Sequence, residues 1–366
     1  MKIGFDAKRF FHNSTGLGNY SRDLIRILSK YFPENEYYLY NPKNKKNNYN
    51  VFQSIVRYPS SFFYKIFSSI WRSYGINNEI KKDGIYLYHG LSGELPLHLP
   101  QKLKKVVTIH DLIFVRYPEL YSFWDREIHF FKFKSAAKNS DCIIAISQQT
   151  KNDIIKYLGV NEEKIKVVYQ GCAKEFKKSF SEEEKIAVSN KFNLPKEFLL
   201  NVGTIEKRKN LLTIVKSIKD IDTKLVVIGK KTKYYDEVEK YIKENNLENK
   251  VIFLSNVSLK ELAIIYQLAN IFIYPSIFEG FGIPIIEALF SKTPVITSKF
   301  GVFPEAGGKS SIYIDPNNSE ELKEEIIKLL NNEQLRNSIA NEGYVFAQNF
   351  SDENIAKNIM NVYLNI

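Results

Sequence analysis

Residues 271–289 read IFIYPSIFEGFGIPIIEAL. The opening six residues form an apolar run of strand length, and the closing run is apolar at helical length. Between them Gly280, Phe281 and Gly282 make a turn in which the glycines let the backbone curl. Pro284 suits the first turn of a helix, where its missing N–H costs nothing. The spacing therefore predicts a strand over 271–276 and a helix from 284 to about 291 that stops before Pro294.

The same order of strand, loop and helix recurs along the chain. KIGFDA (2–7), IYLYH (85–89), KVVTIH (105–110), CIIAIS (142–147) and IKVVY (165–169) are buried-strand candidates in the first half. EFLLNVG (197–203), KLVVIG (224–229), KVIFL (250–254) and PVITS (294–298) join 271–276 in the second. Helical patterns such as SLKELAIIYQLA (258–269) lie between them. Strands that are apolar throughout and separated by helices argue for parallel sheets covered on both faces. The expected fold class is α/β, with two Rossmann-like domains whose parallel sheets face a cleft. The charged, strand-free stretch 171–195 sets the division: a first domain over 1–171, a linker over 172–195, a second domain over 196–348, and a closing helical segment, 349–366, returning towards the first domain.

A chain of 366 residues is comfortable for two such domains. Its two cysteines, Cys142 and Cys172, make no disulfide framework and have no metal-ligand spacing, which suits a reducing interior. The start, MKIGFDAKRF, interrupts any apolar core with charge and has no small-residue cleavage site, so it does not read as a signal peptide. No uncharged apolar run approaches the roughly 18 residues of a membrane span. The expectation is a cytoplasmic protein, peripheral to the inner face of the cell membrane.

The net charge of +11 is unevenly placed. Residues 1–171 hold 26 Lys+Arg against 15 Asp+Glu, whereas 172–366 hold 26 of each. Within the first half, 41–82 carries eight basic residues, Lys43, Lys45, Lys46, Arg57, Lys65, Arg72, Lys81 and Lys82, against the single acid Glu79. Phe62, Phe63, Tyr64, Phe67, Trp71 and Tyr74 are interleaved there. A basic, aromatic segment suits an anionic membrane surface or a polyanionic partner; the plainer reading is lysine-rich surface with ordinary core aromatics.

In open α/β sheets ligands collect at the carboxyl ends of the strands. A helix starting behind a glycine turn is an anion site, because unpaired amides and the macrodipole favour negative charge. Glu279 in the 277–282 turn and Glu287 in the following helix would repel a phosphate unless they bind hydroxyls of the same ligand. The pattern asks for a ligand with both parts, a nucleotide sugar; an exposed Glu279 and a helix-dipole Glu287 would be the bland alternative. NVGTIEKRKNL (201–211) leaves a strand at Gly203 and Thr204 and brings Arg208 and Lys209 to a helix start, where cations oppose the dipole unless they face an anion. NSTGLGNY (13–20) offers Gly16 and Gly18 in an early loop, without the third glycine of a dinucleotide fingerprint. TIHDL (108–112) puts His110 at a strand end, with Asp111 either orienting its ring or capping the next turn.

Together these stretches resemble the retaining GT-B glycosyltransferases of glycosyltransferase family 4 over essentially the whole chain. The most specific element is E-x7-E, Glu279 to Glu287, supported by VGTIEKRKNL, TIHDL, TGLGNY and GVFPEAGG (301–308). The resemblance implies that Glu287 binds the nucleotide ribose, Glu279 contacts the donor sugar, Arg208 and Lys209 hold the diphosphate, amides of Gly280 to Gly282 meet phosphate or sugar, and His110 sits by the transferred sugar and the acceptor. Many members carry arginine directly after the strand glycine; Thr204 stands here, so diphosphate binding leans on Arg208 and Lys209. GTIEKRKN with PEAGG is similar to bacterial mannosyl- and rhamnosyltransferases of surface polysaccharide assembly, which favours GDP-mannose as donor and a glycan or polyprenyl-linked acceptor. No D-x-D stands at a strand end to hold Mg²⁺, so leaving-group charge is expected to be met by cations and amides without a cofactor. The family further implies same-face attack, with the departing phosphate taking the acceptor proton and Asp111 or Glu279 as lesser candidate bases. A sugar-nucleotide epimerase of the same fold is the rival enzyme. A pyridoxal-dependent phosphorylase would need a lysine-bound cofactor. A basic nucleic-acid-binding protein is the non-enzymatic rival, and charge confined to one half speaks against nucleic acid as a partner.

Overall fold

The computed structural model describes residues 1–44 and 49–366. Lys45 and Lys46, counted above in the basic stretch 41–82, lie outside the described residues. The chain divides into a unit of Met1–Gly171 with Ser351–Ile366, and a unit of Cys172–Phe350.

In the first unit seven strands are described, β1 (Lys2–Asp6), β2 (Glu36–Tyr40), β3 (Ile55–Arg57), β4 (Leu87–Gly90), β5 (Lys104–Ile109), β6 (Cys142–Ala145) and β7 (Ile165–Val167). They form one sheet in the order β3-β2-β1-β4-β5-β6-β7, and all its pairs are parallel. The second unit has β8 (Leu199–Val202), β9 (Leu225–Ile228), β10 (Val251–Leu254), β11 (Ile271–Tyr274), β12 (Val295–Ser298) and β13 (Ile312–Ile314), ordered β10-β9-β8-β11-β12-β13, again parallel. Both sheets are the doubly wound α/β type expected. Winding reverses beside β1 and β4 in the first, and beside β8 and β11 in the second, so each has a fork where neighbouring loops part. Strands such as Leu225–Ile228 are buried on both faces, which explains their unbroken apolar sequence.

β2, β3 and β13 were not among the expected strands. Residues 172–195, read above as a linker, fold onto the second unit. Phe176 is fully buried against Tyr266 at 5.5 Å between ring centroids. Helix Glu182–Phe192 is capped by a Ser181–Glu184 box and pairs Lys191 with Glu261 at 2.5 Å. Its high charge hid those few inward residues. The closing helix Asp352–Leu364 packs in the first core through Ile355, Ile359, Met360 and Tyr363, and Asp352 pairs with Arg26 at 2.7 Å.

Stretch 49–82 is also folded rather than a free basic surface. After helix Phe62–Ile66, Trp71 is fully buried with Tyr40, Ile76, Ile80 and Tyr88, and Arg72 is locked in ion pairs. Phe62, Phe63, Phe67 and Tyr74 remain exposed.

The stretch 13–20 differs from the expected loop as well. Gly16 and Gly18 lie in the first turn of helix Gly16–Tyr31. The Asn13 side chain accepts from the amides of Thr15 at 2.8 Å and Gly18 at 3.1 Å, pulling the preceding backbone against the helix. A Cβ on Gly18 would stand 1.9 Å from the Asn13 carbonyl oxygen. Gly18→Ala should therefore destabilise the protein by roughly 2–4 kcal/mol in denaturant unfolding, while Gly16→Ala, facing open space, should cost nothing measurable.

Candidate active site

At the fork of the second sheet the loops after β8 and β11 are laced together. Ile277 N–H donates to the Arg208 carbonyl at 2.8 Å. Arg208 and Lys209 sit on a one-turn 3₁₀ helix, Lys207–Lys209, which ends at Asn210 in a left-handed conformation (φ 59°) before helix Leu211–Ser217. Gly203 has φ 145°, and a side chain there would meet the Lys209 ammonium at 2.8 Å. Glycine is thus required for Lys209 to fold back across the strand end. Thr204 beside it is half-buried.

Glu279 collects these groups. Its Oε1 lies 2.8 Å from Arg208 Nη1 and 3.6 Å from Lys209 Nζ, and it accepts from Tyr274 OH at 2.7 Å and Ser276 Oγ at 3.0 Å. Tyr274 in turn accepts from Lys209 Nζ at 2.8 Å, and Arg208 Nη2 also meets Glu206 at 2.6 Å. Burial alone would raise the Glu279 pKa, but Lys209 and Arg208 outweigh it and hold the carboxyl below its ordinary value. Burial opposes the Arg208 cation as well, and Glu279 with Glu206 more than offsets that, so its pKa rises. Arg208 further donates to the Phe278 carbonyl. The structure thus brings Glu279, Arg208, Lys209 and Gly203 together as one charged cluster. A ligand phosphate arriving here would have to share both cations with Glu279.

Glu287 lies in a different environment. The helix begins at Ile283, so Pro284 is its second residue and Glu287 falls in its second turn, beyond the reach of a first-turn dipole interaction. Half-buried, it accepts from Tyr266 OH at 3.1 Å. Burial pushes its pKa up to about 7, against the opposing influence of Tyr266 and Lys209. Gly282, with φ 110°, forms the turn before the helix. Phe281 is buried, its ring 5.6 Å from that of Phe350, so any ligand contact from Phe281 is through its backbone. Gly280 is half-buried. Tyr266, Tyr274 and Ser276 were missed from sequence; Tyr274 closes β11 and Ser276 lies two residues beyond it, positions at a strand's carboxyl end that could have marked those two.

In the first unit His110 follows β5. Its Nε2–H donates to the Leu91 carbonyl at 2.9 Å, and its Nδ1 accepts from the Gln170 amide at 2.9 Å. The edge of Tyr20 meets the ring at 4.6 Å between centroids. Burial, with a smaller contribution from Arg9 and against the Leu91 carbonyl, draws its pKa down to about 4. The ring is therefore neutral and fixed as one tautomer, with both nitrogens committed to protein groups. Asp111 accepts from the Ile113 amide at 3.1 Å and caps the following turn; Leu91 and Gln170 orient the ring.

The fork of the first sheet holds a charge cluster that sequence reasoning missed. Asp6, closing β1, is buried and meets Arg72 at 2.5 Å; Arg72 also pairs with Glu94, which lies 3.6 Å from Lys132. Burial would raise the Asp6 pKa, but Arg72 holds it below the ordinary carboxylate value. An aspartate at the end of the first strand is the one signal that could have pointed here.

Residues 15–176 match the family described as Glycosyltransferase Family 4, and 182–346 match Glycosyl transferases group 1. The O-antigen chain mannosyltransferase RfbU of Salmonella typhimurium is 31% identical over 257 residues, 69% of this chain and 68% of that protein. The O-antigen chain mannosyltransferase B of Escherichia coli is 24% identical over 99% of both chains. Among solved structures, sucrose-phosphate synthase from Thermosynechococcus elongatus superposes with a TM-score of 0.78 at 20% identity, covering 100% of this chain and 98% of that one. Anabaena Alr3699/HepE in complex with UDP superposes at 0.76 and 17% identity over 100% of both chains. These superpositions bear out the GT-B fold.

Two outcomes follow from the titrating groups. Because burial raises Glu287, its protonated form is the one the fold favours, and stability is lost as pH rises from the ordinary glutamate value through about 7. Glu287→Gln should stabilise the ligand-free protein by about 1–2 kcal/mol at pH 8 and by much less at pH 5, measured by denaturant unfolding. The His110 ring should show a single neutral tautomer by nitrogen NMR down to pH 5, and Gln170→Ala should broaden it into two.

Proposed function

This chain belongs to the glycosyltransferases of family 4 and group 1, and from that premise we propose that it moves a hexose, mannose favoured, from a nucleoside diphosphate sugar to a glycan or polyprenyl-linked acceptor in cell-surface polysaccharide synthesis. The observation that carries the reading is the Arg208–Lys209–Glu279 cluster at the fork of the second sheet, 2.8 and 3.6 Å across its ion pairs. Two relatives are O-antigen mannosyltransferases, which supports mannose and a polysaccharide product. Alr3699/HepE has been solved with UDP and with UDP-glucose, which supports a nucleotide-sugar donor while leaving the base to experiment.

In this reading the diphosphate enters beside Lys209 and Arg208, and their charge stabilises the negative charge that grows on the leaving phosphate. Lys209 has the longer contact to Glu279, so it turns more readily to the phosphate. Glu279, relieved of part of its pairing, accepts from sugar hydroxyls. Glu287 accepts from the ribose diol, for which its carboxylate form is the competent one. The acceptor hydroxyl attacks on the face the phosphate leaves, the phosphate takes its proton, and configuration is retained. His110 shapes the acceptor side as a neutral ring and transfers no proton, since using either nitrogen would break an existing hydrogen bond. The two cations meet the leaving-group charge, so EDTA should leave the rate unchanged.

The test is a thermal-shift panel of nucleotide sugars followed by transfer of labelled sugar to a lipid-linked acceptor. GDP-mannose is expected to give the largest shift, because a tight ligand stabilises the folded state by linkage. Lys209→Ala should lower that affinity by roughly 10–100-fold. Donor affinity should also rise roughly tenfold between pH 6 and pH 8 as Glu287 ionises. Release of a 2-epimer without transfer would replace this reading with the epimerase.

A further inference from the structure

The most exposed large aromatic side chains described lie in the first unit, in two separate stretches. Phe62 is 78% exposed, and Phe63, Ile66, Phe67, Ile70 and Tyr74 follow it on the surface. The second stretch is helix Phe123–Asn139, in which Trp124 is 74% and Phe131 69% exposed, with Phe123 and Ile128 beside them. Trp124, Ile128 and Phe131 recur at four- and three-residue steps, so they share one face of the helix. Its other face is already used, because Phe130, Phe133, Ala136 and Ala137 pack on Ile109, Phe114 and Ile143. A helix that is apolar inside and apolar outside leaves its outer face without a partner in the unit, and an apolar surface of this extent marks an interaction site.

The two stretches border one loop. After β4, Leu97 N–H donates to the Ser73 carbonyl at 2.7 Å on one side. On the other, Glu94 lies 3.6 Å from Lys132 of the Phe123–Asn139 helix, while it also pairs with Arg72. A side chain on Gly93 would run into the Phe133 ring at 2.3 Å, so helix and loop are in direct contact. The largely buried cluster Asp6–Arg72–Glu94, met at its rim by the exposed Lys132, thus fixes both aromatic stretches to the carboxyl end of the first sheet. Breaking a buried charge chain is costly, so this placement is rigid.

We propose that these two stretches together form a binding surface for an anionic lipid bilayer. Charge decides between a bilayer and an apolar protein partner. Residues 1–171 carry the whole positive excess of the chain, 26 Lys+Arg to 15 Asp+Glu. Lys65 stands exposed among the first set of aromatics; the helix of the second carries Arg126, Lys132, Lys134 and Lys138 against Asp125 and Glu127, with Lys134 and Lys138 exposed and Lys132, also exposed, 3.6 Å from Glu94. Aromatic rings inserting at headgroup depth with lysines reaching phosphates is the chemistry of an interfacial anchor. The 41–82 expectation thereby changes: Trp71 and Arg72 face inward, Lys45 and Lys46 lie outside the described residues, and half of the surface comes from 123–139. The proposal is independent of which donor or acceptor the enzyme uses.

The experiment is flotation of the full chain with vesicles of phosphatidylcholine alone and of phosphatidylcholine with 30% phosphatidylglycerol. The protein should float with the anionic vesicles, and the bound fraction should fall on raising salt from about 50 to 500 mM. Phe62→Ser with Phe67→Ser, and separately Trp124→Ser with Phe131→Ser, should each weaken binding by roughly tenfold, with melting temperature and donor hydrolysis in lipid-free solution unchanged. The proposal is overturned by equal binding to both vesicle types, by variants that float like wild type, or by variants that change only self-association in sedimentation, which would make a second copy the occupant.

Discussion

A carboxylate placed at the fork of a parallel sheet has lost most of its water, and it stays ionised only if cations stand against it. Glu279 meets that condition twice, through Arg208 at 2.8 Å and Lys209 at 3.6 Å, and Tyr274 and Ser276 saturate the same oxygen. The glycine at 203 follows from this, because no other residue lets Lys209 cross the strand end. So does the 3₁₀ turn that carries both cations on successive residues. The cluster is self-neutralised, and on the proposed function an incoming diphosphate would exchange one anion for another instead of burying new charge.

The first sheet solves the same electrostatic problem differently. At its fork Asp6 and Glu94 share Arg72, and all three are largely buried, so the cluster acts as a brace for the loop that follows β4. That loop provides the Leu91 carbonyl to which His110 donates. His110 and His89 both have depressed pKa values, about 4 and about 3, because burial disfavours their charged forms. His89 continues the polar chain to Thr108 at 2.7 Å and to Tyr363 at 2.6 Å on the closing helix. These rings set positions and carry no charge.

The parallel α/β architecture was legible because central strands are apolar on both faces, and ten of the thirteen described strands announce themselves that way. The others hide for physical reasons. β3 and β13 are three residues long and closely flanked by polar residues, unlike the equally short β7, whose apolar run continues through IKVVY, and EYYLY in β2 reads as amphipathic surface. The cations and carboxylates of the second unit were visible from glycine spacing, but their pairing with each other was not. Composition marked 41–82 as basic and aromatic, yet it could not show that Arg72 turns inward, since its partner Asp6 lies 66 residues away. Long-range charge pairing leaves no local trace in a sequence.

Two glutamates eight residues apart end with opposite titration behaviour, and the division has a cause. Glu279 sits where two loops deliver cations, so its carboxyl is held below the ordinary value. Glu287 is on a helix flank with a phenol as its hydrogen-bond donor, and burial lifts it to about 7. A carboxylate already saturated with cations is a poor acceptor for neutral hydroxyls until a phosphate draws those cations away. One poised near neutrality can ionise when a diol supplies two donors. Under the proposed function the pair would respond to the two halves of a nucleotide sugar separately, phosphate through Glu279 and its cations, ribose through Glu287. Environments that push two acids apart are how one fold assigns them distinct roles.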